Sequence, residues 1–246
     1  MSDIKFGKYY NIESAMHNMN PLFKLISLII YCILLFIIED VSLIIVMALL
    51  LMILISFSNI NYIYYFKSLK LILPLIIFII IINTIFNVSF VYTSISILKL
   101  ILLILYSSMI SFSTSLKDIN NSLNKLLYPL CVFGINTSKV SFSLSLSIRF
   151  IPIIFEQGSK IMKSQASRGL DFKNGNLVEK IKSIKSIIFP MFLLSFKRSD
   201  DLADFMEIRL YKFEVVKSKT KIKDLDVLYM LSHIMLIILF IFKYIV

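Results

Sequence analysis

The 246-residue sequence is poor in the residues that build disulfide frameworks, metal sites and flexible linkers. It has two cysteines, two histidines, five glycines and five prolines. Cys32 and Cys131 belong to no CxxC or metal-ligand spacing, so neither a disulfide nor a zinc site is expected. The sequence also contains no GxxxxGK[ST] motif, which binds ATP phosphates, and no HExxH or GxSxG motif, which are typical of hydrolases.

Apolar residues are in excess, at 58% of the chain, whereas a soluble domain has about 45–50%. This excess predicts an all-α integral membrane protein, because lipid is the solvent that such a chain requires. The polar N-terminus has no signal-peptide core, so the first apolar run is expected to remain in the mature protein. An acidic turn at 39–40 and an uncharged loop at 89–94 are expected between spans. Five uncharged runs approach the ~20 residues of a membrane span: 25–38, 41–57, 71–88, 100–116 and 227–242.

Positive charge is concentrated in one segment of the sequence. Residues 117–223 contain 19 of the 26 Lys and Arg residues and nine of the 15 acidic ones. Basic residues beside spans accumulate on the cytoplasmic side, so this segment is predicted to lie inside. No nucleic-acid-binding motif accompanies the charge, and no nucleic acid is expected as a partner. The predicted organisation is a membrane region of about four spans at 1–116, a cytoplasmic module at 117–225 and a last span at 226–246.

The predicted module begins with an amphipathic helix after the capping-box-like Ser115–Asp118, ending near Pro129–Gly134. Residues 140–148 alternate with period two, which is typical of a strand. An isolated strand beside a bilayer would leave backbone groups unpaired, so we interpret this segment as a helix.

Two further helical segments are predicted in the module. The alternating helix is expected to kink at Pro152 and to end at Arg168-Gly169, since glycine commonly follows a helix end. A third segment is predicted to start near Asn176, to be interrupted at Pro190 and to continue to Tyr211.

Two patterns in the sequence suggest chemistry. His233 lies inside the last predicted span, and we interpret it as a neutral imidazole bonded to a backbone carbonyl. Asp200, Asp201 and Asp204 spell DDxxD, the magnesium-diphosphate signature of prenyl-transferring enzymes. No second acidic motif faces them, so salt bridges with neighbouring basic residues along a solvated helix are expected instead. No metal or cofactor is predicted.

Six short patterns match one family in order and spacing. On them, the chain resembles the transmembrane (T) component of energy-coupling factor (ECF) transporters, a family that includes cobalt- and nickel-transport permease subunits. The patterns are Ser14–His17 with Pro21–Lys24, Leu126–Pro129, Arg149–Pro152 with Glu156, Gln165–Phe172, Pro190 with Arg198–Ala203 and Met206–Tyr211, and Asp224–Asp226.

The resemblance implies a non-catalytic subunit of an ATP-driven uptake transporter in the plasma membrane of a prokaryote. Its implied partners are two cytoplasmic ABC-type ATPase subunits, identical or paralogous, and a substrate-binding membrane subunit, the S component. The S component would carry a vitamin, another micronutrient or a transition metal ion. A stand-alone permease and a DDxxD-type membrane prenyltransferase are the alternatives. The implied ATPase-docking residues are Ser167, Arg168, Gly169, Ile208, Arg209 and Leu210.

The second arginine departs from the family pattern, in which small residues flank it. Ile208 and Leu210 stand there instead. Two interpretations are open: the helix continues past Arg209 because no glycine stops it, or the groove that receives this end is more apolar.

Overall fold

The computed structural model describes residues 9, 10, 12, 14–127, 137–170, 176–211 and 223–245, and every regular element in them is an α-helix. The predicted all-α fold class is confirmed. The chain forms two compact units, the first from Met1–Leu126 with Ser218–Val246 and the second from Leu127–Lys217. The first unit contains α1 (Ala15–Asn18), α2 (Pro21–Ile37), α3 (Val41–Ser58), α4 (Tyr62–Lys70), α5 (Leu73–Ile85), α6 (Phe90–Ser113), α7 (Leu116–Leu127) and α10 (Asp224–Ile245), and the second contains α8 (Thr137–Ser167) and α9 (Leu177–Ile208).

Among the described residues, four helices are long and apolar enough to cross a membrane. They are α3, α6, α10 and most of α8, and α4 with α5 makes a fifth if this pair, bent by 47°, is one broken span. At 17 residues, α2 is shorter than these. The expected membrane-spanning character is therefore confirmed, whereas the division into 1–116, 117–225 and 226–246 stays a prediction about placement in the membrane.

The expected loop at 89–94 is wrong, because α6 already begins at Phe90. Its first polar residues are satisfied inside the helix: the Ser94 and Ser96 hydroxyls each donate to the carbonyl four residues earlier, over 2.9 Å. Hydroxyls bonded in this way add little polarity to a membrane helix. Lys99 consequently lies within α6.

The second unit confirms the helical interpretation of residues 140–148, which lie inside the continuous helix α8. The Ser147 hydroxyl donates to the Ser143 carbonyl over 2.8 Å, so the serines of the alternating pattern bond within their own helix. The interruption expected at Pro190 is wrong, since α9 runs through it. A proline removes one backbone hydrogen bond, and packing of a long amphipathic helix compensates for that loss.

Polar contacts show the relative direction of α2 and α10 in the first unit. The Asn20 N–H donates to Asp226 Oδ1 over 2.7 Å, which joins the starts of the two helices. Near their other ends, Lys243 Nζ lies 3.0 Å from Asp40 Oδ2. The two helices are therefore parallel and begin at the same end of the unit, which we call the junction end.

The junction end also holds the end of α6 and the start of α7. Tyr65 of α4 packs edge-on against Phe112 of α6, with ring centroids 5.5 Å apart. Ser115 caps α7 as predicted, accepting a hydrogen bond from the Asp118 N–H over 3.2 Å and donating to its carboxylate over 2.6 Å. The starts of α7 and α10 therefore lie at the same end of this unit.

A buried hydrogen-bonded cluster lies inside the first unit, between α2, α6 and α10. Tyr106 Oη lies 2.7 Å from Tyr229 Oη and 2.7 Å from His233 Nε2, and Tyr229 Oη lies 2.6 Å from Ser27 Oγ. His233 Nδ1 is 2.9 Å from the Tyr229 carbonyl oxygen, which confirms the contact expected from the sequence. Each polar group is bonded, as burial in a membrane protein requires. The cluster therefore specifies how the three helices fit together.

Lys24 is the central residue of the junction end, and its side chain is buried. A lysine near the end of a span commonly extends its ammonium to water, but this residue is only 1% exposed. Its Nζ donates to the Ser113 carbonyl over 3.0 Å and lies 3.4 Å from the Thr114 hydroxyl. Asp118 and Asp226 interact with it electrostatically. Internal oxygen atoms thus replace the water that the lysine would otherwise seek.

Replacing Lys24 by Ala is expected to destabilise the first unit by about 3–5 kcal/mol, because two acidic side chains lose their buried cation. The measurement is thermal unfolding of the purified chain in detergent. Lys67→Ala is the control, since Lys67 is exposed and also lies near the end of a helix. Equal melting temperatures for the two variants would contradict the buried position of Lys24.

His17 holds the segment that precedes α2 in place through hydrogen bonds. Its Nε2–H donates to the Tyr10 carbonyl over 2.8 Å, and its Nδ1 accepts from the Ser14 hydroxyl over 2.7 Å. This pattern requires the neutral imidazole, since a protonated ring has no acceptor nitrogen. Burial is the main cause that lowers the pKa of His17 below its usual 6.5, and the positive charge of Lys24 adds to it.

Acidification is expected to loosen this N-terminal segment. A histidine whose folded-state pKa is lowered contributes its full stability above the unfolded pKa of about 6.5, and that stability is lost as the pH falls through the lower folded value. Limited proteolysis before residue 20 should therefore accelerate between about pH 7.5 and pH 5. His17→Gln should flatten this pH dependence, and an equally steep profile in that variant would assign the effect to another group.

Candidate functional site

The first predicted docking segment, Ser167-Arg168-Gly169, lies at the end of α8. The Gly169 N–H donates to the Ala166 carbonyl over 3.0 Å, and the Leu170 N–H donates to the Gln165 carbonyl over 3.2 Å. Gly169 has a φ of +86°. These two bonds with a left-handed residue form the Schellman motif, which satisfies the last carbonyls of a helix. Arg168 consequently occupies the C-cap position, and its side chain is exposed.

The second predicted segment, Ile208-Arg209-Leu210, ends α9 with the same geometry. The Leu210 N–H donates to the Glu207 carbonyl over 2.9 Å, and the Tyr211 N–H donates to the Met206 carbonyl over 2.9 Å. Leu210 has a φ of +48°, so a leucine takes the left-handed position that Gly169 takes in α8. The interpretation in which the helix continues past Arg209 is therefore wrong. Hydrogen bonding of the helix end, not glycine, stops it.

The two arginines are structurally equivalent. Each is the C-cap residue of a long helix, is followed by a residue with positive φ, and is exposed to solvent. Sequence reasoning found both positions from their patterns, but only the backbone geometry reveals that Ile208-Arg209-Leu210 repeats Ser167-Arg168-Gly169.

α8 and α9 pack as an antiparallel pair. The Tyr211 ring lies 5.2 Å from the Phe142 ring, and the guanidinium of Arg198 lies over the Phe150 ring at 5.7 Å. Gly158 is buried, and a Cβ atom there would come within 3.3 Å of the Met191 side chain, so the helices approach closely at this point. Residues late in α9 contact residues early in α8, so the two helices run in opposite directions. Arg168 and Arg209 therefore lie at opposite ends of the helix pair.

The distance between the two arginine ends follows from helix geometry. Arg209 lies beside the start of α8, near Phe142, whereas Arg168 lies at its end. The 26 residues from 142 to 168 rise about 1.5 Å each, so the two ends are roughly 40 Å apart along the helix. The α8–α9 helix pair is thus a long element with an exposed arginine at each end.

The acidic residues Asp200, Asp201 and Asp204 are all exposed on α9. The described residues contain no group of three or more His, Cys, Asp or Glu side chains that could hold a metal ion. The salt bridges expected here are also not found: the ion pairs in the described part of the chain join Glu156 to Lys160 and Asp40 to Lys243. Exposed ion pairs gain little in water, so their absence has a small energetic cost.

Several helices that are long and apolar enough to span a membrane define a multi-pass helical membrane protein. Comparison with known proteins gives its family. The model of the CbiQ family, described as "Cobalt transport protein", matches residues 13–222.

Curated relatives agree with this match. The energy-coupling factor transporter transmembrane protein EcfT of Streptococcus equi subsp. equi is 30% identical over 260 aligned positions, covering 99% of this chain and 97% of the relative. The protein of the same name from Clostridium kluyveri is 28% identical, covering 92% and 89%. The chain belongs to the CbiQ family of ECF transporter transmembrane components, as its sequence patterns predicted.

Leu210 gives a direct test of the α9 end. A left-handed conformation costs a non-glycine residue roughly 1–2 kcal/mol, so Leu210→Gly should stabilise the last turn by about 1 kcal/mol after the entropy of glycine is allowed for. The Tyr211 amide should then exchange with deuterium about fivefold more slowly.

Gly169→Leu is the mirror variant and should accelerate exchange at the Leu170 amide. No atom lies within 4 Å of a Cβ built at Gly169, so backbone conformation and not a clash would cause the change. Unchanged exchange at Tyr211 in the Leu210→Gly chain would contradict the left-handed conformation of Leu210.

Proposed function

We propose that this chain is the energy-coupling subunit of an ATP-driven ECF-type uptake transporter in the plasma membrane of a prokaryote. Its two arginine ends dock into grooves on two cytoplasmic ABC-type ATPase subunits. The α8–α9 pair carries the closure of these subunits to a separate substrate-binding membrane subunit. The chain itself is non-catalytic, and the partner subunits hydrolyse ATP.

The observation that carries this proposal is the repeated helix end. Two exposed arginines in one backbone geometry, about 40 Å apart on one helix pair, suit a protein that binds two similar partners at once. Bound partners that move relative to one another would exert force on opposite ends of the α8–α9 pair. A helix pair held by close contacts, such as Gly158 against Met191, transmits such a push with little deformation.

Features of the first unit and of α9 support a cytoplasmic position for α8 and α9. Because α7 and α10 both begin at the junction end, we expect the residues between them to cross the membrane an even number of times. α9 carries ten charged residues, and its longest uncharged stretch, 186–196, has 11 residues against the ~20 of a span. This supports a position of α9 outside the lipid, and an even number of crossings then favours the same position for α8 despite its apolar composition. Their excess of basic residues favours the cytoplasm.

Arginine suits the proposed docking role chemically. Its guanidinium is planar and always charged, and it binds carboxylates through two parallel hydrogen bonds. Arginine is also enriched among the residues that dominate interface energies. An exposed arginine at a C-cap also interacts favourably with the helix dipole, but this stabilisation is small and does not depend on a partner.

The transported substrate would be bound by the S component, and the proposed class is a vitamin, another micronutrient or a transition metal ion. The names of the relatives support a transporter that is driven through an energy-coupling factor. The description of the matching family model names cobalt transport, and this supports the metal-ion alternative.

Combined Arg168→Glu and Arg209→Glu substitutions are expected to abolish co-purification with the ATPase subunits. Loss of one desolvated charge partner costs about 2–5 kcal/mol, which weakens binding at least about 30-fold per site. The measurement is the amount of ATPase recovered with the tagged chain from solubilised membranes, with membrane insertion measured in parallel.

Lys160→Glu combined with Lys197→Glu is the matched control, because it reverses two exposed charges, one on each helix, eight residues before Arg168 and 12 before Arg209. Undiminished recovery of ATPase with the arginine variant would overturn the proposal. Substrate uptake into vesicles by the purified chain alone would instead support a stand-alone permease.

A further inference from the structure

The helix α4 lies at the junction end and turns one of its faces to the rest of the first unit. Tyr65 and Ser68 are buried on that face, and the Tyr65 hydroxyl lies 3.0 Å from the hydroxyl of Ser58, the last residue of α3. The Tyr64 ring packs on the ring of Tyr10, with centroids 4.2 Å apart. These contacts fix the rotation of α4, and thereby decide which of its side chains point away from the unit.

The opposite face of α4 combines apolar and basic side chains. Tyr62, Ile63 and Phe66 are 60%, 57% and 70% exposed. Lys67 and Lys70 are exposed as well. Aromatic rings make such a face unsuited to water, and two ammonium groups make it unsuited to the hydrocarbon interior of a membrane. It suits the boundary between them, where rings and the alkyl stems of lysines lie beneath charged headgroups.

The bend after α4 agrees with a position at this boundary. The axes of α4 and α5 are inclined by 47°, so α4 does not continue in the direction of α5. None of the 13 residues of α5 is buried, and its sequence is strongly apolar, as contact with lipid requires. The chain therefore changes direction between a basic helix end and an apolar helix, which is where a span meets the polar surface of a membrane.

The two lysines lie one turn apart, and neither pairs with an acidic side chain. Residues three apart on a helix have Cβ atoms about 5–6 Å from one another, so Lys67 and Lys70 repel each other. The ion pairs in the described part of the chain include neither of them, and the sequence has no Asp or Glu between Asp40 and Asp118. A pair of cations without an anionic partner favours binding of an anion from outside the chain.

The dipole of α4 accounts for only part of this arrangement. Both lysines lie in the last turn, where the helix dipole favours a cation. That stabilisation is small, and it does not depend on aromatic neighbours. Tyr62, Phe66 and Lys70 follow one another at intervals of four residues, so two exposed rings and an ammonium form one stripe along the helix. This combination is typical of a surface that contacts lipid.

We propose that the exposed face of α4 binds the phosphate of an anionic phospholipid in the cytoplasmic leaflet. The ammonium groups of Lys67 and Lys70 bind the phosphate, and the rings of Tyr62 and Phe66 lie against the first part of the acyl chains. The choice of leaflet rests on the proposed function, in which the segment between α7 and α10 is cytoplasmic and both helices begin at the junction end. The binding site itself does not depend on that function.

The charge of the headgroup decides which lipid is bound. Each lysine near a membrane surface strengthens the binding of anionic lipid about fivefold. Two lysines together therefore favour an anionic over a neutral headgroup on the order of 20-fold. A zwitterionic headgroup carries the same phosphate, but it also carries a cation that the lysines repel.

The test uses a single tryptophan, because the sequence contains none. Phe66→Trp places this reporter beside both lysines without a change in charge. The full chain is reconstituted in vesicles of phosphatidylcholine with a minor fraction of phosphatidylglycerol, and one of the two lipids at a time carries brominated acyl chains, which quench tryptophan on contact. We expect phosphatidylglycerol to quench well above its mole fraction, as a preference of about 20-fold requires.

Variants of the Phe66→Trp chain assign this preference to the two lysines. Lys67→Gln with Lys70→Gln should lower it to about equal binding of both lipids, and Glu at both positions should lower it further. Arg at both positions keeps the charge and should keep the preference. Lys160→Glu with Lys197→Glu is the control, since it changes two exposed charges on α8 and α9 and should leave the preference intact.

Every other result contradicts the site. Equal quenching by the two lipids in the parent chain, or a preference that survives loss of both lysines, would overturn it. Loss of the preference in millimolar inorganic phosphate would assign the lysines to a free anion. Absence of quenching by either lipid would mean that α4 faces protein. None of these measurements involves an ATPase subunit, so failure of the lipid site leaves the docking function standing, and the reverse also holds.

Discussion

The buried ammonium of Lys24 is the interaction on which the arrangement of the first unit depends. It sits in the first turn of α2, holds the end of α6 through the Ser113 carbonyl, and interacts with acidic side chains that begin α7 and α10. A charge removed from water is stable only when oxygen atoms surround it in the correct geometry. Four helix termini are consequently fixed relative to one another by one side chain.

Asp226 supports the same junction from the side of α10. Its carboxylate accepts hydrogen bonds from the Asn20 N–H over 2.7 Å and from the Lys223 N–H over 2.9 Å. The residue is only 1% exposed, so its charge, like that of Lys24, is balanced by protein groups and not by water. The starts of α2 and α10 are therefore joined by a buried acid as well as by a buried base.

Sequence reasoning predicted what periodicity and charge determine, and missed what three-dimensional contacts determine. The all-α class, the helix at 140–148 and the end of α8 followed from hydrophobic pattern, from the cost of unpaired backbone in lipid and from Gly169. The burial of Lys24 did not, because a lysine near a span end has the same local sequence whether it reaches water or a buried carbonyl. The start of α6 was misjudged because serines usually indicate a loop, although they can bond within a helix.

The end of α9 shows why the second predicted docking segment was harder to interpret than the first. A glycine signals a left-handed residue because it adopts that conformation without strain, so its absence at 210 left the end of the helix undetermined. The hydrogen bonds of the Schellman motif satisfy the same carbonyls whichever residue occupies the position, and here they outweigh the strain of a leucine.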